Sequence, residues 1–247
     1  MIACAIVAVA LASVAMPAGV VDDLYAHRLL FDADGHPLVS VGMMQGATRV
    51  VIESAGGLVV TGVTGDHDAK MMTGPRARLV IDRAGPIKPG VVEEAQILET
   101  LEGDDRRRGH DEAAQWEALG VHVELVDVGG VYGVKGTVVD NRAVLVVAPG
   151  KLDKKARAAV EHSGARPAPM ERITKLPSGN LRASVEGLTP MKAPAIRVSA
   201  RDPDAPIVVH DVEHGVGYAD HGFADRQLRG DVVVVPDKNG ALAVVNL

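Results

Sequence analysis

The stretch 116–147 constrains the fold of this chain most, because it predicts a helix end, a strand, a glycine-rich turn and further strands in direct succession. Gly120 stands where a helix would end, since glycine takes the left-handed conformation at a helix C-terminus without steric cost. Residues 121–128 then alternate apolar and polar side chains, as a half-buried strand does. A glycine-rich turn at 129–133 leads into a second strand run, which polar residues at 140–141 interrupt.

The composition argues against nucleic-acid binding and cysteine chemistry. The 247 residues carry a net charge of −6, so the chain offers no general attraction to nucleic acid. Only 2% of the residues are aromatic, which leaves few rings for stacking on bases. Cys4 is the single cysteine, and disulfides and cysteine-ligated zinc are therefore not expected in the mature chain. Neither a phosphate-binding loop nor a dinucleotide-binding glycine pattern occurs, and we predict no cofactor.

The N-terminus predicts export. Residues 1–21 carry no charged side chain, and the apolar run before Pro17 has the length of a signal-peptide core. Ser13 and Ala15 form a small-x-small cleavage pattern, although no Lys or Arg precedes the run. We predict a signal peptide or anchor at 1–19 and a protein of the periplasm or cell envelope. An uncleaved anchor, which would be the one contact with a membrane, and a buried element remain alternatives.

The rest of the chain divides into four predicted parts. Residues 20–75 are β-rich, and 76–187 predict an α+β unit with the element order β-α-β-β-α-β. The proline-rich segment 188–206 predicts a linker, and 207–247 predict a β-hairpin region around the turn Pro236–Gly240.

The α+β unit is predicted from short local signals. Arg78–Ile81 predicts its first strand, and Glu93–Glu102 is weakly helical in pattern. Asp111 is a plausible N-cap for a helix at Glu112–Leu119, and a second amphipathic helix is predicted at Lys151–His162. Such an order places both helices on one face of a sheet and leaves the other face free for a ligand.

His210, Glu213 and His214 form an H-x-x-E-H pattern, which is one kind of zinc-binding motif. Zinc hydrolase chemistry needs both histidines one turn apart on a helix, whereas apolar residues 207–209 predict a strand here. A structural site that also uses Asp220 or His221 is a second alternative, and a polar loop at a strand end is the third. We therefore assign no metal ligands and keep His210, His214 and His221 as secondary candidates.

Three pieces of sequence resemble the N-terminal portion of the SpoIID/LytB family, that is, sporulation stage II protein D and amidase enhancers. The strand rhythm of 39–60 resembles the β-rich start of that domain. The segment 112–142, with Glu-Ala-Ala-Gln-Trp at its start and Val-Val-Asp-Asn-Arg at its end, is similar to a SPOR-like insertion. Leu228-Arg-Gly230 and Val245-Asn246 resemble the family's Tyr-Arg-Gly and Val-Asn hairpin, with Leu in place of Tyr.

The resemblance implies a cell-envelope protein that binds peptidoglycan glycan strands. Characterised family members are lytic transglycosylases that cleave strands without stem peptides by means of a catalytic Glu, and SPOR domains bind such strands on an open sheet face. That Glu is expected beyond Leu247, so the resemblance assigns no catalytic role to any residue here. Low-specificity candidates for ligand contact are Trp116, Tyr132, Arg142 and Arg229.

Two other functions remain open. The chain could be an envelope scaffold without a sugar site that recruits a partner such as a cell-wall amidase. More remotely, it could be a zinc hydrolase that uses His210, Glu213 and His214. For Trp116 itself, a place in the core is the alternative to a glycan contact, because a lone Trp on an amphipathic helix more often packs inward.

Overall fold

A computed structural model describes residues 30–31, 37–64, 68–134 and 136–247, so the predicted signal peptide or anchor at 1–19 lies outside the described residues. The described residues form two six-stranded sheets, one four-stranded sheet, two separate two-stranded hairpins and two helices. All of the strand pairs are antiparallel. The predicted α+β class with β-rich parts is therefore confirmed, and the structure adds that the sheets are antiparallel.

The two six-stranded sheets pack face to face as a β-sandwich. The first sheet contains, in spatial order, β15 (Met191–Ala193), β14 (Leu181–Ser184), β7 (Leu79–Arg83), β4 (Arg49–Ser54), β17 (Ile207–His214) and β18 (Gly222–Leu228). The second contains β3 (Val41–Ala47), β20 (Leu242–Asn246), β19 (Val232–Pro236), β16 (Ala195–Ala200), β5 (Leu58–Val63) and β6 (Ala69–Met72). A short hairpin of β1 (Leu30–Phe31) and β2 (Pro37–Leu38) precedes them.

Aliphatic side chains from both sheets form the sandwich core. Alternate positions of each strand point inward, as the period of two requires. The fully buried members with the largest side chains are Ile52, Leu58, Leu79, Ile81, Leu181, Ile196, Ile207 and Leu242. Burial of apolar surface of this kind is the main favourable contribution to folding, at about 25 cal/mol per Å².

The hairpin predicted around Pro236–Gly240 is confirmed as β19 and β20. Its turn is organised by the Asp237 carboxylate, which accepts hydrogen bonds from the backbone N–H groups of Asn239 at 2.7 Å and Ala241 at 2.9 Å. The other carboxylate oxygen accepts from the N–H of Gly46 in β3 at 2.8 Å. One buried side chain therefore shapes the turn and ties the edge strand to it.

The four-stranded sheet and the helices form a separate α/β unit. Its strands are, in spatial order, β13 (Ala168–Lys175), β8 (Val91–Glu102), β12 (Ala143–Pro149) and β9 (Glu124–Val128). Helices α1 (Arg106–Ala118) and α2 (Lys154–Ser163) follow β8 and β12 in the chain, and both pack on the same face of the sheet. A protruding hairpin, β10 (Val131–Val134) and β11 (Thr137–Asp140), extends from β9 and β12.

The chain enters and leaves the α/β unit side by side. Lys88 and Ser178 exchange backbone hydrogen bonds of 2.8 and 3.0 Å at this neck. Next to it, the N–H of Gly90 donates to the carbonyl of Lys238 in the β19–β20 turn, and the Lys238 ammonium pairs with Glu171 of β13. The turn of the sandwich hairpin is thus a contact point for the α/β unit.

The weakly helical prediction for Glu93–Glu102 is wrong, since this segment lies within strand β8. Buried residues at 95, 98 and 101 imitate the spacing of a helix face. In the strand, Val146 pairs with Glu99 and Val147 with Ile97, so Leu98 is an extra residue in a β-bulge. The bulge shifts the in–out alternation by one residue, which hides the period of two in the sequence.

The predicted starts of two other elements also need correction. Arg78–Ile81 overlaps β7, which pairs with β4 and β14 in the sandwich and is not the first strand of the α/β unit. Helix α1 begins at Arg106, because the Asp105 side chain caps it by accepting from the N–H of Arg108 at 3.0 Å. The charged residues before the predicted N-cap Asp111 therefore form the first turn of the helix.

The segment 188–206, predicted as a linker, contains strands β15 and β16. Ile196 and Val198 of β16 are fully buried between the sheets, where β16 pairs with β5 and β19. The prolines that suggested a linker lie outside the two strands, at 190, 194, 203 and 206, where each can end or separate strand pairing.

Candidate functional site

The face of the four-stranded sheet opposite α1 and α2 is here called the open face. Strand alternation places one set of apolar side chains under the helices and the other set on the open face. The open-face set clusters separately from the helix-side core and comprises Ala95, Ile97, Val126, Val128, Leu145, Val147 and Met170. The open face therefore has an apolar floor of its own.

Arg172 crosses this floor and joins three strands. It lies in the edge strand β13, and its Nη1 donates to Glu124 Oε2 at 2.7 Å in β9, the opposite edge strand. Its Nη2 donates to Glu93 Oε2 at 3.2 Å in the neighbouring strand β8. We call Glu93, Arg172 and Glu124 the clasp. The hydrogen bond with Glu124, and then that with Glu93, raises the pKa of the Arg172 guanidinium above its ordinary value.

The clasp shows that the sheet curves toward its open face. The register aligns Glu124 with Val147, Ile97 and Ala168, so Arg172 lies four residues further along its own strand. In a flat sheet the Cα atoms of Glu124 and Arg172 would then be about 19 Å apart, which is farther than the two side chains and a hydrogen bond reach. The Arg172 and Glu124 side chains nevertheless meet within hydrogen-bonding distance. Val147, at the centre of the floor, is only 1% exposed, because the partly buried side chains of Ile97, Val126 and Met170 pack against the cluster that contains it.

Trp116 lies in the core on the other side of the sheet. The residue is 4% exposed and packs with Leu98, Val146 and other residues between the sheet and the helices. Its indole Nε1–H donates to Glu99 Oε1 at 2.8 Å, which satisfies its one polar group. This placement supports the core alternative for Trp116.

Arg142 lies at the base of the protruding hairpin, and its guanidinium is held by acidic side chains. Nε and Nη2 donate to the two oxygens of Asp140 at 3.0 and 2.8 Å, and Nη1 donates to Asp104 in the loop before α1. Arg106 pairs in the same way with Asp127 of β9. The hydrogen bonds from Arg142 lower the pKa of Asp140 to about 2. These ion pairs link the base of the hairpin and the end of β9 to the residues around the start of α1.

Tyr132 lies on the protruding hairpin opposite Val139, and its phenol ring lies over Gly130. Arg229 lies in the sandwich, in the turn between β18 and β19, where its carbonyl accepts a hydrogen bond from Asn246. Of the four residues predicted for ligand contact, the structure therefore brings Tyr132 and Arg142 to one end of the α/β unit. Trp116 lies beneath the sheet and Arg229 belongs to the sandwich.

The three candidate histidines lie on or beside strand β17. His210 Nδ1 lies 3.0 Å from Asp225 Oδ2 and its Nε2 lies 3.5 Å from Glu53 Oε1. Glu213 contacts His221 at 2.7 Å and is therefore engaged with a different histidine. Among the described residues, no three His, Cys, Asp or Glu side chains lie close enough together to hold a metal ion.

Comparison of the chain with protein-family models, with curated proteins and with solved structures gives no match. Among the described residues, no helix has the length and apolar character required to cross a membrane. Function is therefore inferred from the geometry of the open face and from the sequence pattern.

Sequence reasoning missed the clasp. Glu93 fell in a segment that was predicted to be helical, and Arg172 lies far along the chain from Glu124. The alternation of 168–175 could have placed Met170 and Arg172 on one face of a strand. It could not have shown which acidic residues lie opposite them.

Proposed function

We propose that this chain binds peptidoglycan glycan strands on the open face of the α/β unit. The observation that carries the proposal is the curved, apolar open face with a charged clasp across it. Sugar rings present apolar C–H faces and a polar rim of hydroxyl and amide groups. An apolar floor with hydrogen-bonding side chains at its edges suits both kinds of surface.

The sequence resemblance supports the same assignment. Residues 112–142 resemble a SPOR-like insertion, and their helix and strands lie in a β-α-β-β-α-β unit with both helices on one face. The Arg-Gly and Val-Asn pieces that resemble the SpoIID/LytB hairpin lie together at one end of the β19–β20 pair. We assign the chain to the binding part of a lytic transglycosylase or amidase enhancer of this kind, in the cell envelope.

The decisive experiment measures retention of the purified chain on glycan strands from which the stem peptides have been removed. Val126→Glu places a charged side chain on the open face, where it repels the carboxylates of the strand, and is expected to reduce retention about tenfold. Ala158→Glu adds the same side chain on the exposed surface of α2 and serves as the matched control. Wild-type protein that passes the strands without retention would refute the proposal.

A second candidate function is recruitment of a partner protein, and the protruding hairpin favours it. Val131, Val138 and Val139 are exposed there, with Val138 70% exposed, although apolar side chains are costly to leave in water. If the chain is a scaffold without a sugar site, Val138→Lys abolishes capture of a cell-wall amidase. Neither the wild type nor this variant is then retained on glycan strands.

A further inference from the structure

We propose that Arg172 determines which glycan the open face selects, by exchanging the Glu124 carboxylate for the lactyl carboxylate of N-acetylmuramic acid. The inference rests on the proposed function, since it names the group of the glycan strand that this site recognises. The lactyl carboxylate is the regularly repeated anionic group of a strand that lacks stem peptides. A chitin strand of the same length has none.

The clasp has the geometry for such an exchange. The guanidinium already holds one carboxylate on Nη1 and another on Nη2, so a carboxylate that replaces Glu124 meets an Nη1 donor that is already directed at a carboxylate. Replacement of one carboxylate by another keeps the charge and the hydrogen bonds of Arg172. The exchange therefore leaves no buried donor without an acceptor.

Glu124 is the partner that can leave. The Glu124 and Glu93 side chains are 41% and 49% exposed, so either ion pair contributes little free energy. Glu93 faces Arg172 directly across the β8–β13 ladder, whereas Glu124 reaches it from the opposite edge strand, so strand pairing keeps Glu93 beside the guanidinium when Glu124 leaves. After release from Arg172, the Glu124 carboxylate turns to solvent at the edge of the sheet. Glu93 lies in the strand next to Arg172 and holds the guanidinium in place during the exchange.

The apolar floor places the carboxylate of a bound strand level with the Arg172 guanidinium. Arg172 lies on the same face as Met170, and Glu124 on the same face as Val126, because residues two apart in a strand share a face. A sugar ring that lies on the floor between these strands has the clasp beside it. The lactyl ether at position 3 of the ring can then reach the guanidinium without displacing the ring.

The test compares two ligands of equal length, a stem-peptide-free peptidoglycan strand and a chitin oligosaccharide. Wild-type protein is expected to bind the muramic-acid strand about fivefold more tightly, the upper end for one exposed ion pair, because the new pair replaces the Arg172–Glu124 pair. Arg172→Gln is expected to bind both ligands equally, within about twofold. Glu124→Gln removes the competing charge, and we expect it to bind the muramic-acid strand about threefold more tightly and chitin unchanged.

Two further variants control for structure. Arg172→Lys keeps the positive charge without the fork and is expected to show an intermediate preference. Asp82→Asn removes a carboxylate from the similar bidentate pair with Arg182 on the sandwich, and the preference should stay at the wild-type value. Circular dichroism and unfolding midpoints of all variants establish that the fold is kept.

The outcomes separate the inference from the proposed function. Equal binding of both strands by the wild type, or an unchanged preference in Arg172→Gln, overturns the role of Arg172 and leaves glycan binding intact. Weaker binding of the muramic-acid strand by Glu124→Gln also overturns it, because Glu124 would then contact the ligand itself. A wild-type protein that binds neither strand refutes the proposed function together with the inference.

Discussion

The Asn246 side-chain amide bridges the turn that contains Arg229, donating to the Arg229 carbonyl at 2.9 Å and to the Asp231 carbonyl at 3.0 Å. Gly230, between those carbonyls, has a φ of +82°, and a Cβ there would lie 2.1 Å from the carbonyl oxygen of Leu247. The Arg-Gly and Val-Asn pieces of the sequence thus form one structural unit. Their pairing explains why the residue types occur together without a ligand.

Replacement of Asn246 by Asp is expected to lower the free energy of unfolding by about 2 kcal/mol. The change exchanges a donor for an acceptor and leaves two backbone carbonyls facing a carboxylate. Equilibrium unfolding in urea measures the loss. Asn239→Asp, at an exposed position of the neighbouring turn, should change stability by less than about 0.5 kcal/mol, and a similar loss in both variants would contradict the bridging role.

Asp237→Ala is expected to cost about 3 kcal/mol, because three backbone N–H groups lose a charged acceptor at a residue that is 2% exposed. Hydrogen exchange of the amide of Gly46 should accelerate in the same variant, since edge strand β3 loses its link to the β19–β20 turn. Asp237→Asn keeps one acceptor oxygen and turns an amide N–H toward a backbone N–H. The stability of Asp237→Asn should fall between those of the wild type and Asp237→Ala. Equal stability of the wild type and Asp237→Ala would refute the role of Asp237 in holding the turn and strand β3.

The Asp140–Arg142 pair is expected to persist in acid. The three hydrogen bonds from Arg142, first those of its side chain and then that of its backbone N–H, lower the pKa of Asp140 from 3.8 to about 2. Since the pKa is lowered on folding, the contribution of the pair is complete above the ordinary value and is lost as the pH falls through about 2. NMR titration of the Asp140 carboxyl carbon should have its midpoint near that pH, and Arg142→Ala should return it to the ordinary range. A wild-type midpoint near 4 would show that the pair does not form.

Trp116 is expected to report on the helix side of the sheet and not on ligand binding. Its fluorescence should be blue-shifted and poorly quenched by acrylamide, because the indole is buried and hydrogen-bonded to Glu99. Addition of glycan strands should leave the emission unchanged. Trp116→Ala is expected to destabilise the protein by about 4 kcal/mol through the cavity it leaves. An emission change that saturates with glycan would place the ligand on the helix side and argue against the open face.

Elements with strong local signals were predictable from the sequence. Two valine-rich runs around a Pro-Asp-Lys-Asn-Gly turn predict the hairpin at Pro236–Gly240. Helix α2 lies within Lys151–His162 except at its last residue, because Asp153 is a good N-cap and Gly164 ends it with a φ of +77°. These signals act between residues close in the chain, so a sequence pattern contains them.

Local sequence patterns do not predict strand β8 or the start of helix α1. The bulge at Leu98 moves the alternation by one residue, and its cause is the pairing with Val146 and Val147 of β12 rather than any local residue type. The N-cap Asp105 competes in the sequence with Asp111, which has the same chemistry. Only the position of α1 on the sheet, with the buried Gly109 against Val144 and Leu125, decides between the two starts.

The sequence by itself determined the strand-rich α+β class, the hairpin around Pro236–Gly240 and helix α2, because periodicity, turns and caps act over a few residues. The tertiary structure alone decided that 195–200 is a buried central strand and that Arg172 meets Glu124 and Glu93. Those partners are 48 and 79 residues from Arg172 in the chain. Their meeting depends on strand order and sheet curvature, which arise only when the whole sheet is assembled.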